Sequence, residues 1–181
     1  MNFVKTILCL LPAGMLLIGC KDEGTKALPP APSSVAQTLT WLQGRTLTVQ
    51  KAGFYGALTV NNNTTINWID TTDKAEPLVK ETVRELGNWN LRLGTDSSIV
   101  VNSKGDSYKG YYKVDDQPQE GETPGIRLRV TYPDPTFSFG GSEPMEVTYT
   151  YLVKGIDAKE MLLELPREIN RQKLLALMEV R

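Results

Sequence analysis

The sequence predicts an all-β fold, a single antiparallel barrel of about 8–10 short strands, with a β-sandwich as the alternative. Three observations predict it. Along most of the chain after residue 38, apolar residues alternate with polar ones instead of recurring at helical spacing. Turn-forming groups break that alternation at short intervals, as in Asn61-Asn62-Asn63, Gly94-Thr95-Asp96 and Lys104-Gly105-Asp106. The runs follow one another closely, so neighbours in sequence pair as hairpins. A sheet of that size closes, or doubles over, to bury its apolar face and hide its edges.

In chain order, residues 46–50 (TLTVQ) place Leu47 and Val49 on one face, and FYGALTV at 54–60 follows Gly53 as a hairpin partner. TTINWI at 64–69 sets Ile66 and Trp68 on alternate sites. PLVKETVREL at 77–86 fits a helix with Pro77 at its first position, or a strand, for which the alternation of Val79, Glu81, Val83 and Glu85 argues slightly more. WNLRL (89–93) and SIVVN (98–102) form a hairpin, and YKGYYKV (108–114) follows. DDQPQEGETPG at 115–125, rich in acids and prolines, reads as a solvated loop. IRLRVTY (126–132) alternates most regularly: Ile126, Leu128, Val130 and Tyr132 against Arg127, Arg129 and Thr131. A second long loop, 133–144, carries Phe137 and Phe139. MEVTYTYLV (145–153) turns at Gly155-Ile156-Asp157 into KEMLLEL (159–165). KLLALMEV (173–180) ends the chain as a strand, or as a short amphipathic helix beginning near Pro166.

The first residues have another character. Lys5 precedes an apolar stretch, residues 6–18, interrupted by Pro12 and Gly14. It falls short of the roughly 20 residues a helix needs to cross a bilayer, and it has the layout of an export signal. It ends in Leu17-Ile18-Gly19-Cys20. This segment resembles the lipobox of bacterial lipoproteins. The resemblance implies diacylglyceryl transfer to the Cys20 thiol, cleavage after Gly19, and acylation of the new amino group, with Leu17, Ile18 and Gly19 as the signal peptidase recognition residues. Each buried methylene contributes about 0.8 kcal/mol, so two or three acyl chains hold such a protein to its membrane. Lys21 at the following position implies, by the same resemblance, an outer-membrane protein facing the periplasm, with exposure on the cell surface left open.

Residues 1–19 thus read as a signal peptide, 20–37 as the lipidated cysteine and a disordered tether, and 38–181 as one β-rich domain. The tether contains Pro29-Pro30-Ala31-Pro32, which favours extended polyproline II. Removing residues 1–19 removes one cation, Lys5, and no acid, which takes the formal charge from −1 to −2. That balance excludes an electrostatic nucleic-acid binder. The alternating domain is similar to the lipocalin-like barrels of bacterial envelope lipoproteins. Leu42-Gln43-Gly44-Arg45 resembles the Gly-x-Trp start of those barrels, although Thr46 stands where that family has its tryptophan and Trp41 precedes the glycine. No site residue carries over.

The chain contains no histidine and only two cysteines, Cys9 in the signal and Cys20. Ser-His-Asp and Cys-His catalysis, the usual zinc sets and thiol chemistry are therefore excluded. Neither a cofactor nor a metal is expected. Asp115, Asp116, Glu120 and Glu122 are the carboxylates a glycoside hydrolase would need, but solvation accounts for them more simply. Phe137 and Phe139, beside Gly140-Gly141, are the candidate contacts for a partner or ligand. The expected function is a membrane-anchored, non-catalytic interaction or accessory module of the cell envelope. A lipocalin-like binder of a small apolar ligand or lipid is the alternative, and a carboxylate-only hydrolase the remaining one.

Overall fold

The computed structural model describes residues 27–55, 66–69, 89–103, 105–137, 144–169 and 171–181. One helix, α1 (Val35–Leu42), precedes strands β1 (Thr46–Tyr55), β2 (Ile66–Trp68), β3 (Asn90–Leu93), β4 (Ser98–Ser103) and β5 (Asp106–Asp115). These are followed by β6 (Arg127–Asp134), β7 (Met145–Ile156), β8 (Glu160–Ile169) and β9 (Gln172–Val180). From β3 onward each strand pairs antiparallel with the next, and β9 returns to pair with β1 from Leu47↔Val180 to Phe54↔Leu174. The ring β1-β3-β4-β5-β6-β7-β8-β9 is closed, so the fold is an eight-stranded antiparallel barrel and not a sandwich. Because β9 occupies one edge of β1, β2 and β3 share the other. The ladder stops where the Ile69 amide donates to Ala52 and resumes at Thr48↔Asn90.

One expectation is corrected and one alternative is decided. The alternation at 46–50 does not end in a hairpin at Gly53. It continues to Tyr55 in a single strand whose bulge between Val49 and Lys51 shifts the inward parity to Ala52 and Phe54. Of the two readings of residues 173–180, the strand is the one observed. Residues 160–169 and 172–180 are paired strands, joined across Arg171 at φ 64°, because Leu174, Ala176, Met178 and Val180 complete the inner face and β9 must close the ring. The alternative structures of 77–86 and the Asn61-Asn62-Asn63 turn lie outside the described residues.

The interior is filled. Leu47, Leu91, Ile99, Val101, Leu128, Val130, Met161, Leu163, Leu174, Ala176 and Met178 are at most 1 % exposed. A void that admitted water would leave accessible surface on the side chains lining it. An eight-stranded barrel is just wide enough for side chains to fill it, and here large aliphatic residues do so.

One end, at Thr46, Leu93, Asp115 and Val180, is closed by α1. Ser34 caps that helix, accepting from the Gln37 amide at 3.1 Å. Val35, Leu39 and Leu42 fall on one stripe at helical spacing; Leu42 and Thr38 are buried, and Val35, Leu39 and Trp41 lie against the core. Gly44 at φ 73° then releases the chain into β1.

The prolines before the helix do not behave as a free tether. Pro29 is buried, and the Ile156 amide donates to the Pro30 carbonyl at 2.9 Å. Gly155 permits this approach, since a Cβ there would run into the Pro29 carbonyl. Packed structure therefore begins before residue 38. A polyproline II segment carries unpaired carbonyls, and the irregular end of β7 supplies a donor for one of them.

Candidate functional site

The opposite end of the barrel is its mouth. Inward positions on β5, β6 and β7 there are tyrosines: Tyr108, Tyr132 and Tyr149, with Tyr151 and Trp89 one level deeper. Tyr132 and Tyr149 stack at 5.4 Å between centroids, Tyr108 meets Tyr132 at 6.0 Å, and Trp89 meets Tyr151 at 5.5 Å. Alternation through Leu128, Val130 and Tyr132 carries the next inward position to Asp134, which is buried among these rings. Its carboxylate accepts from the Tyr149 hydroxyl, from the Thr136 amide at 2.8 Å and from the Thr136 hydroxyl at 2.7 Å.

Asp134 thereby fixes the turn at 134–136, because Asp-Pro-Thr closes on the aspartate's own side chain. The Phe137 amide donates to the Asp134 carbonyl (3.1 Å), and the Met145 amide to the Phe137 carbonyl (2.9 Å). Phe137 and Met145 stand in solvent at 52 % and 44 % exposure. Phe137 is thus exposed, as its candidacy for a partner contact requires. Phe139, like Leu17, Ile18, Gly19 and Cys20, lies outside the described residues.

Burial and the Asp134 charge push the Tyr132 phenol up to about 12. Burial, and then the bond donated to Asp134, raise Tyr149 as well. Complete burial raises Tyr151 well above its ordinary value. These phenols are hydrogen-bond donors and apolar surface at neutral pH, and none is a base.

The barrel wall is split at this mouth. The β5–β6 ladder ends at Tyr111↔Thr131, while β6 continues against β7 to Asp134↔Met145. Pro133 would face Lys109 next and has no N–H to donate. At Gly110 the strands come so close that a Cβ would strike the Thr131 carbonyl, and above it β5 pairs, among the described residues, with β4 alone.

The acidic loop sits at the closed end, and half of its acids are not solvated as expected. Arg127, 2 % exposed, pairs with Glu122 at 2.9 Å and donates to the Gly125 and Thr123 carbonyls. Arg129 holds Asp115 at 3.1 Å, Glu122 at 3.0 Å and the Thr150 hydroxyl at 2.8 Å, and Lys113 also reaches Asp115 at 3.2 Å. Burial raises the Asp115 carboxyl, but Lys113 and Arg129 together hold it below its ordinary value. Bonds from Arg129 lower Glu122 in the same direction. Asp116 and Glu120 are exposed. Beside this network a shallow groove of about 590 Å³ runs between residues 31–36, residues 124–126 and Lys154. No group of three His, Cys, Asp or Glu among the described residues could hold a metal ion.

Sequence reading missed Asp134, Tyr132 and Tyr149 as a unit. The available signal was the Asp-x-Thr pattern at 134–136, which folds the turn onto the aspartate. No family model, curated protein or solved structure matches this chain.

Proposed function

We propose that the chain is a lipid-anchored protein of the bacterial envelope, held to the outer membrane through Cys20, which acts as a non-catalytic interaction module. The filled interior carries this reading. Among the described residues, side chains at most 1 % exposed along the barrel axis leave no deep pocket for an apolar ligand, so recognition falls to the outer surface and the mouth. The exposed pair Phe137 and Met145, next to the turn fixed by Asp134, is the surface offered to a partner. Asp115 and Glu122 are committed to arginines, which speaks against a paired-carboxylate hydrolase.

The docked prolines sharpen the geometry. Cys20 and the buried Pro29 are nine residues apart, which limits the standoff to roughly 30 Å at about 3.3–3.6 Å per residue. The chain joins the barrel at its closed end, through Pro29 and Pro30. A photoreactive residue in place of Phe137, activated in intact cells, is expected to give one discrete adduct heavier than the chain. Recovery of monomer alone overturns the reading.

A further inference from the structure

We infer that the free edge of β5 at the split in the wall is a docking site for an extended, acidic segment of a partner protein, added as a further strand. This deepens the proposed function and rests on it. The Tyr112 amide donates to Ser97 beside β4 at 2.8 Å. Backbone groups alternate between the two edges of a strand, so Ser107 and Lys109 direct their N–H and C=O toward β6. Among the described residues no strand meets them there, because the β5–β6 ladder stops at Tyr111↔Thr131. Residues 106, 107 and 109 are exposed. Paired donors and acceptors at strand spacing are complementary to one kind of ligand, an extended polypeptide backbone.

The side chains along this edge define what that polypeptide carries. Ser107 and Lys109 point outward, and Lys109 continues a row across the outer wall, Arg92↔Val100↔Lys109. Arg92 and Lys109 are both exposed, and neither has an ion pair among the described residues. The acid nearest on the strand, Asp106, accepts from the Tyr108 hydroxyl on the other face. A strand laid against this edge places alternate side chains beside that cationic row and the intervening ones over the half-buried Tyr108. The occupant is therefore acidic outward and apolar inward. Pro133, facing the same gap, cannot donate to β5 and keeps the barrel from closing the seam itself.

The test is amide exchange by NMR on the full chain in detergent micelles, with a blocked octapeptide of four Glu-Val repeats as the probe and Lys-Val repeats as control. Saturation with the acidic probe is expected to slow exchange at Ser107 and Lys109 at least tenfold, and the basic probe to bind at least tenfold more weakly. Ser107→Pro removes an edge-facing N–H together with the hydroxyl that donates to Asn102 on β4, and is expected to weaken the acidic probe at least tenfold relative to Ser107→Ala, which loses the same hydroxyl and keeps the N–H. Lys109→Glu is expected to invert the preference between probes. No binding at millimolar peptide, binding without protection at Ser107 and Lys109, or equal affinity for both probes overturns the inference. Adducts from position 137 that persist after such a result leave the broader function standing.

Discussion

At the closed end of the barrel, a capped helix, two docked prolines and an arginine–carboxylate network surround a wall in which every neighbouring strand is paired. At the mouth, three tyrosines gather around one buried aspartate, two strands part company, and Phe137 and Met145 stand in solvent. Both ends hold buried charge, but they dispose of it differently. The closed end neutralises carboxylates with guanidinium groups, which is a structural solution. At the mouth, Asp134 accepts from the Tyr149 hydroxyl and from the Thr136 amide and hydroxyl, bonds that fix the turn at 134–136. The difference teaches that this barrel spends its rigidity at one end and its accessible apolar surface at the other.

The largest contrast is expected in the core. Leu128→Ala, at a position with no exposed surface, should cost about 2–5 kcal/mol in urea unfolding. A loss below about 1 kcal/mol would mean that the interior is not close-packed there. Arg127→Met follows at about 1–3 kcal/mol, because it takes the buried donor from the Gly125 and Thr123 carbonyls, while Arg129 still holds Glu122. Asp134→Asn should cost about 1–2 kcal/mol and speed amide exchange at Thr136, Phe137 and Met145 while leaving β8 and β9 unchanged. Phe137→Ser should stay within about 0.5 kcal/mol of the parent and yet abolish the adduct formed from a photoreactive residue placed at Met145.

The two ends should also fail at opposite pH. Asp115 and Glu122 are held below their ordinary values, so their contribution is complete above the unfolded carboxylate range near 4 and is lost as pH falls through their depressed values. Tyr132 is raised to about 12, so its contribution is complete below the unfolded phenol value near 10 and is lost as pH climbs toward 12. Exchange protection followed residue by residue should therefore vanish first around Arg129 in acid and first around Tyr149 in alkali. Simultaneous loss at both ends would make them one cooperative unit.

Much of the barrel was legible because alternation is a strong local signal. Leu128, Val130 and Tyr132 announce their strand, and Leu47, Leu91 and Val101 announce theirs. The α1 helix was missed, although Ser34-x-x-Gln37 is a capping pattern and Val35, Leu39 and Leu42 have helical spacing. The prolines in front of them suggested a spacer, and sequence cannot show that β7 has a donor waiting for Pro30. Ring closure was expected from the number of strands, but the register that achieves it was hidden, since the Leu47↔Val180 pairing joins the two ends of the domain. At the mouth, Phe137 was visible by composition, whereas Asp134 read as a turn residue because its partner Tyr149 lies on the next strand.

The central claim is that this barrel is solid and works from its surface. Native mass spectrometry of the protein released from detergent micelles tests it most directly. The account predicts the mass of the chain from residue 20 plus its acyl groups and nothing more. A stoichiometric apolar ligand retained in the gas phase would contradict it.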